Sequence, residues 1–221
     1  MERSTAASAF VAPRRAEGDR SGRARLAIAG LVALLLLTGF LSLAAGASDA
    51  SILGVLGRLL GGADAGAGLS HRDAIIVYDI RLPRVLLGAL VGAALAVSGA
   101  LMQGLFRNPL ADPAIVGVSA GASLGAVSVI VLGTTVLAPV TMLLGIFTLP
   151  LAAFFGALVV TLVLYRISTR RGQTSVATML LAGIAVGAIA MAFTGFLIFV
   201  ADDRQLRELT FWTLGSLAGS T

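Results

Sequence analysis

Two arginines, Arg81 and Arg84, flank a Leu-Pro pair directly before a long apolar run. A guanidinium group is a planar fork of donors that pairs with a carboxylate through two parallel hydrogen bonds. Proline at position 83 is tolerated in a first helical turn, because its missing N–H would be unpaired there. The spacing therefore predicts that both arginines project from the start of a helix. There they either anchor the helix at the lipid headgroups or dock an acidic partner.

Catalytic and metal-binding groups are sparse elsewhere in the chain. The only histidine, His71, has no cysteine or paired carboxylate at ligand spacing, and Ser119 and Ser123 have no accompanying base. The chain contains no lysine, so it cannot form the phosphate-binding loop of a Walker ATPase. We expect His71 to be a solvated loop residue, and we expect no enzyme activity, no cofactor and no metal ion in this chain.

The composition is that of a membrane protein. Hydrophobic residues make up 57% of the 221 residues and charged residues only 12%, against about a quarter in soluble domains. The net charge of +5 comes entirely from arginines. They cluster at the ends of apolar runs, which indicates the orientation bias of a multi-pass protein and disfavours nucleic-acid binding.

The apolar runs predict an all-α, polytopic protein with about five transmembrane helices, since one crossing needs about 20 apolar residues. The stretch from Pro113 to Tyr165 carries no charge and is too long for one helix. Thr134, Thr135 and Pro139 supply a break within it. The predicted spans cover residues 26–48, 85–106, 113–132, 139–164 and 174–200.

Three segments outside these spans differ in composition. Residues 1–25 are polar and arginine-rich, which predicts a disordered tail, and residues 26–221 are then one membrane domain. Residues 51–60 are amphipathic, bounded by glycines and too short to span, so we expect a short interfacial helix. Residues 202–221 mix charge with Phe211 and Trp212 and are predicted to lie at the outer interface.

The charge distribution predicts a cytoplasmic N-terminus. In that orientation the inner segments, 1–25, 107–112 and 166–173, carry ten arginines and four acidic residues, whereas the outer segments carry six arginines and seven acidic residues. Cytoplasmic loops of membrane proteins carry the excess of basic residues. Arg81 and Arg84 then lie on the outer side, where a pair of arginines runs against the usual bias.

Glycines recur at four-residue spacing inside three of the predicted spans. This spacing places small side chains on one helix face and allows two backbones to approach closely in lipid. Generic helix packing is the simpler interpretation, and lining of a transport path is the alternative. The glycines concerned are Gly88, Gly92, Gly117, Gly121, Gly125, Gly183 and Gly187.

A family resemblance rests on a long motif block that begins at Arg81. The sequence RLPRVLLGALVGAALAVSGALMQGLFRNPLADPAIVGVSAGASLGA, with TMLLAGIAVGAI and LTFWTLGSLAGS further on, resembles the permease subunits of type II ABC importers for iron–siderophores, haem and cobalamin, the FecCD-like family. The similarity extends from about Leu26 to Thr221. It implies a multi-pass bacterial inner-membrane protein with ten membrane helices, of which this chain holds the N-terminal five.

The resemblance assigns roles to particular residues. Arg81 and Arg84 match the arginines that receive glutamates of the periplasmic substrate-binding protein. Two short segments match the cytoplasmic gate of the family, although Val176 and Ala177 stand where small hydroxylated residues are usual. The residues that inherit the gate role are Asn108, Pro109, Leu110, Thr174, Ser175 and Val176.

The resemblance also implies partners. These are the substrate-binding protein, a separate ATP-binding subunit that hydrolyses ATP, a second permease copy and the lipid bilayer. The segments that contact the ATP-binding subunit in the family have no counterpart in these 221 residues. The chain is therefore expected to be a fragment or a truncated product. A non-transporting membrane remnant is accordingly kept as an alternative to a transport subunit.

The segment from Ala201 to Gly219 resembles haem permeases more than cobalamin permeases, so haem is the favoured substrate. A ferric siderophore and cobalamin stay as alternatives. Aromatic side chains near the predicted outer mouth could stack on a flat porphyrin, but most interfacial aromatics are membrane anchors. These aromatics are Phe196, Phe199, Phe211 and Trp212. An intramembrane enzyme is disfavoured, because the predicted spans contain no paired acids and no histidine.

Overall fold

The computed structural model describes residues 21–44 and 71–220. These residues are almost entirely helical, which confirms the predicted all-α membrane fold. The tail was predicted to cover residues 1–25, but its last five residues are helical, because α1 begins at Ser21. The rest of the predicted tail and the predicted interfacial helix at 51–60 lie outside the described residues. The helices are α1 (Ser21–Ala44), α2 (His71–Ile75), α3 (Leu82–Phe106), α4 (Val118–Leu132), α5 (Ala138–Leu144), α6 (Thr148–Ser168), α7 (Val176–Phe199) and α8 (Asp203–Leu214).

Four stretches of helix are long and apolar enough to cross a membrane: Ser21–Ala44, Ile76–Phe106, Ala138–Ser168 and Val176–Phe199. α4 is apolar but has only 15 residues, a length of about 22 Å against a hydrocarbon core of about 30 Å. The predicted third span, 113–132, is shortened because Pro113–Val116 forms a separate 3₁₀ turn and Gly117 has a φ of 77°. The described part of each of the five predicted spans is largely helical, and the membrane boundaries of the spans stay a prediction.

The described residues form two compact units, and the division falls after Val85. The first unit includes α1 and the helical residues from His71 to Val85. The second unit, Leu86–Ser220, has two small apolar cores. Val116, Val160, Leu164 and Met179 form one core. Val127, Ile130, Val131 and Leu209 form the other.

The helix that carries Arg81 and Arg84 does not begin at Pro83, as the sequence had suggested. It runs without interruption from His71 to Phe106, and Ile76–Arg81 forms a π-helical turn within it. Proline inside an α-helix removes one hydrogen bond and clashes with the carbonyl four residues earlier. The wider turn, in which Leu82 N–H donates to Val77 O, accommodates the ring. Proline is common at the start of helices, but Pro83 lies inside one.

Glycines bring α4 and α6 into backbone contact. A Cβ atom on Gly121 would lie 2.6 Å from the carbonyl oxygen of Gly156 and 2.5 Å from Cγ2 of Val160. A Cβ on Gly125 would collide with the carbonyl oxygen of Ala152. Such close approach increases van der Waals contact, which is a main source of helix association in lipid.

A short β-hairpin connects α6 to α7. Its strands, β1 (Thr169–Arg170) and β2 (Gln173–Thr174), pair antiparallel. The turn between them uses Arg171 and Gly172, with φ angles of 53° and 77°, as a tight two-residue hairpin turn requires. The Ser175 side chain then accepts a hydrogen bond from Thr178 N–H and caps the start of α7.

Candidate functional site

Arg81 is buried against the end of α1. Its side chain is only 8% exposed, and Nη1 donates hydrogen bonds to the carbonyl oxygens of Leu43 and Ala44 at 2.6 and 3.1 Å. Both acceptors belong to the last turn of α1. Carbonyl groups in a last turn have no partner within the helix and carry a partial negative charge. The guanidinium of Arg81 therefore satisfies the end of one helix from the side of another.

Arg84 lies one turn further along, in the first turn of α3, and is half-buried. On the neighbouring α2, Arg72 is exposed. The environments of Arg81 and Arg84 therefore differ, although the sequence presented the two arginines as an equivalent pair.

The first predicted gate segment forms a rigid turn after α3. Arg107 has a φ of 49°, and the side-chain oxygen of Asn108 accepts a hydrogen bond from Leu110 N–H at 2.9 Å. Asp112 then accepts from Ala114 N–H and caps the 3₁₀ turn. The side chain of Leu110 is 83% exposed at the tip. Local hydrogen bonds thus hold an apolar side chain outside the packed core.

The second predicted gate segment lies at the hairpin and the start of α7. Thr174 and Ser175 line a cavity of about 570 Å³ together with Arg170 and Thr178. Asn108 and Leu110 line a different cavity of about 220 Å³, which reaches Leu180 on α7. Both segments therefore border the first turns of α7, but the structure does not bring them into one cavity.

The largest of these cavities, about 740 Å³, lies between α4 and α7. Its lining combines small residues with three hydroxyl side chains, Ser119, Ser123 and Thr194. Gly117, Gly183 and Gly187 also line it. Because these glycines lack side chains, the backbones of the 3₁₀ turn and α7 come close: a Cβ on Gly117 would lie 2.8 Å from Gly183 O.

The sequence interpretation missed some of these residues. Gly156, which faces Gly121 and Gly125, stands four residues from Ala152 and from Val160, a spacing that a search for alanine as well as glycine would have found. Gln205 was also not singled out. Its Nε2 donates to Val131 O at 3.0 Å and its Oε1 accepts from Asp202 N–H. The Gln205 side chain therefore forms hydrogen bonds with both the end of α4 and the start of α8.

The aromatic side chains near the end of α7 fall into two groups. Phe196, Phe199 and Phe211 are between 64% and 85% exposed. Trp212 is half-buried and packs against the core formed by Val127, Ile130, Val131 and Leu209. Gly88 and Gly92, the other glycines at four-residue spacing, are less tightly packed. A Cβ on Gly88 would lie 3.5 Å from Leu217, and one on Gly92 would have no described neighbour within 4 Å.

The structure is that of a multi-pass α-helical membrane protein. It has apolar helices of membrane-spanning length, glycine contacts between helices and a cavity lined by small residues. Among the described residues, no three His, Cys, Asp or Glu side chains come together as metal ligands. The chain belongs to the FecCD transport family, whose model matches residues 34–221.

Three curated relatives illustrate the similarity. The chain is 47% identical over 153 residues to the cobalamin import system permease protein of Halobacterium salinarum, covering 69% of this chain and 39% of the relative. It is 47% identical over 150 residues to the hemin transport system permease protein of Yersinia pestis, covering 67% and 43%. The vitamin B12 import system permease protein of Klebsiella pneumoniae is 39% identical over 197 residues, covering 89% and 53%.

One solved structure has a similar fold. It is a metal-chelate type ABC transporter in an inward-facing conformation, with a TM-score of 0.64 and 27% sequence identity, covering 87% of this chain and 52% of that one. The chain thus spans about half the length of the proteins that it matches.

Proposed function

We propose that this chain forms part of the permease subunit of an ATP-driven importer that moves an iron complex, with haem as the first candidate, from a periplasmic binding protein to the cytoplasm. The observation that carries the proposal is the 47% identity over 150 residues to a named hemin permease. The cavity between α4 and α7, about 740 Å³ with a mostly apolar lining, supports a path for a large solute.

The proposed complex contains further subunits. A separate subunit binds and hydrolyses ATP, because this chain contains no lysine with which to build a Walker loop. A second permease copy and a substrate-binding protein complete the importer, which lies in the bacterial inner membrane. Arg81 and Arg84 belong to the docking surface, and the turn Asn108–Leu110 and the segment 174–176 contribute to the cytoplasmic gate.

Cobalamin is the second candidate substrate, because two of the relatives are named for cobalamin or vitamin B12 import and one of them covers 89% of this chain. The exposed Phe199 and Phe211 favour haem, since flat aromatic faces can stack on a porphyrin. A path that releases its cargo binds that cargo weakly, so His71 has no role as an axial ligand in this proposal.

Deletion of the full-length permease gene tests the substrate. We expect growth on haem as sole iron source to be lost and to return on complementation. Normal growth on haem together with loss of cobalamin uptake would replace haem by the second candidate. Loss of neither haem, cobalamin nor ferric-siderophore uptake would contradict the transport function and favour a non-transporting remnant.

Cysteine labelling tests the proposed cytoplasmic N-terminus. The 221 residues contain no cysteine, and Gln173 and Thr210 are exposed on the hairpin and on α8. Both substitutions leave the arginine distribution unchanged. Gln173→Cys should react with a membrane-impermeant maleimide only from the cytoplasmic side, and Thr210→Cys only from the outside. The reverse pattern would invert the topology.

A further inference from the structure

We infer that the exposed side of α8 binds a flat aromatic ligand that carries carboxylate groups. Phe211 stacks on the ring of this ligand, and Arg204 and Arg207 pair with its carboxylates. Haem has this chemistry, since its porphyrin ring carries propionate groups, whereas the amide side chains of cobalamin offer no free carboxylate. The inference rests on the proposed function and assigns the choice between the two candidate substrates to α8.

Helical periodicity brings these three side chains together. Each residue of an α-helix turns the chain by about 100°, so Arg204, Arg207 and Phe211 fall within a sector of about 60°. All three are exposed, and Phe211 keeps 71% of its surface accessible. Leu209 and Trp212 pack against the core on the other side of the helix. The arginines therefore share one exposed surface with the aromatic ring.

α8 is held in place from its buried side. The Gln205 side chain donates a hydrogen bond to Val131 O at 3.0 Å and forms a capping box with Asp202 at the start of the helix. Leu209 is only 7% exposed. A surface that is already ordered loses less conformational freedom when a ligand binds. The packing of α8 on α4 thus favours binding on the exposed side.

Two carboxylates of α8 itself stand near the arginines. Asp203 lies four residues before Arg207, and Glu208 lies four residues after Arg204, a spacing that permits ion pairs on a helix. In the described part of the chain, neither arginine side chain has a hydrogen-bond or ion-pair partner. Exposed pairs of this kind also contribute little to stability. The arginines are therefore available to a carboxylate of a ligand.

The chemistry of this surface favours an acidic ring over a neutral one. A guanidinium group binds a carboxylate through two parallel hydrogen bonds, and hydrogen bonds of this charged kind are roughly twice as strong as neutral ones. Stacking on an aromatic ring does not require a charge on the ligand. Removing the carboxylates of the ligand should therefore abolish the contribution of the arginines and preserve that of Phe211.

The experiment measures ligand binding by the full permease in nanodiscs without its partners. Haem and haem dimethyl ester share the same ring, but the ester has no free carboxylate. Binding is followed by quenching of tryptophan fluorescence, and Trp212, next to Phe211, is the only tryptophan in the 221 residues. A Trp212→Phe form corrects for tryptophans elsewhere in the permease. Partition of each ligand into lipid is the same for every variant and cancels when the variants are compared.

We expect Arg204→Gln and Arg207→Gln each to weaken haem binding about tenfold and to leave binding of the dimethyl ester unchanged. Phe211→Leu should weaken binding of both ligands, because it removes the stacking surface. Arg72→Gln is the charge-matched control: Arg72 is exposed on α2, and its loss should change neither affinity. All four side chains are exposed, so the variants should fold as the unchanged form does.

Three results would overturn the inference. The first is no haem binding by the unchanged permease, and the second is an unchanged haem affinity in both arginine variants. The third is an equal loss for haem and its ester in those variants, which would indicate that the arginines anchor α8 to lipid phosphates. Transport is a separate outcome: if the complete importer does not take up haem although the carboxylate-dependent binding is found, the proposed substrate fails and the ligand site on α8 stands.

Discussion

Replacing Arg84 by glutamate should weaken binding of the substrate-binding protein by about 2–5 kcal/mol, roughly 30-fold to several thousandfold in affinity. Arg84 lies in the first turn of α3 and is half-buried, so a carboxylate of the partner would meet it at a partly desolvated contact. Glutamate at this position would remove the attraction and add repulsion between like charges. The affinity can be measured with the full permease in lipid nanodiscs.

Arg72→Glu is the matched control for this prediction. Arg72 is exposed on α2, in the same continuous helix, and its reversal changes the net charge by the same amount. Exposed charges contribute little and are screened by salt, so Arg72→Glu should reduce affinity only slightly and less at high ionic strength. Equal losses in both variants would indicate a general charge effect and contradict a specific docking role for Arg84.

Substitution of Gly125 should have the largest effect on stability. Even a methyl group at this position would collide with the carbonyl oxygen of Ala152, so Gly125→Leu must push α4 and α6 apart. Overpacking of a tight contact costs about 1–3 kcal/mol and occasionally more, and a backbone atom cannot move aside as a flexible side chain can. We expect a lower unfolding temperature in detergent and a smaller folded yield.

Gly92→Leu provides the comparison. Sequence spacing gave Gly92 and Gly125 the same packing role, but a Cβ on Gly92 would meet nothing within 4 Å among the described residues. The unfolding temperature of Gly92→Leu should therefore stay close to that of the unchanged chain. Similar losses in the two variants would show that the contact of α4 with α6 is not what makes Gly125 sensitive.

The places of the long apolar helices could be predicted from run length and charge, because lipid requires long uncharged segments with all backbone groups bonded internally. Their number could not, since α4 is shorter than a full membrane crossing. The break near Pro139 was also predictable, since α5 begins at Ala138 with proline in its first turn. The helix start predicted at Pro83 was wrong, because this proline lies inside a continuous helix. A π-helical turn accommodates a proline inside a helix, and local sequence preference gives no sign of that turn.

The candidate site was only partly predictable. Arg81 and Arg84 stand out in the sequence, but whether an arginine points to a partner or to a carbonyl of the same chain depends on tertiary contacts. The burial of Arg81 against Leu43 and Ala44, 38 and 37 residues away, is a contact of this kind. The predicted gate segments rest on resemblance alone, and neither segment carries a charge pattern or a ligand spacing that would mark it independently.

The π-helical turn also makes the chain length in this region critical. Because its hydrogen bonds join residues five apart, a π-helical turn holds one residue more than an α-helical turn. Removing one residue between Val77 and Arg81 would restore regular α-helical hydrogen bonding, and the wide turn that accommodates Pro83 would be lost. Val77 and Arg81 would then be three residues apart instead of four. In evolutionary terms, this turn should accept substitutions far more readily than insertions or deletions.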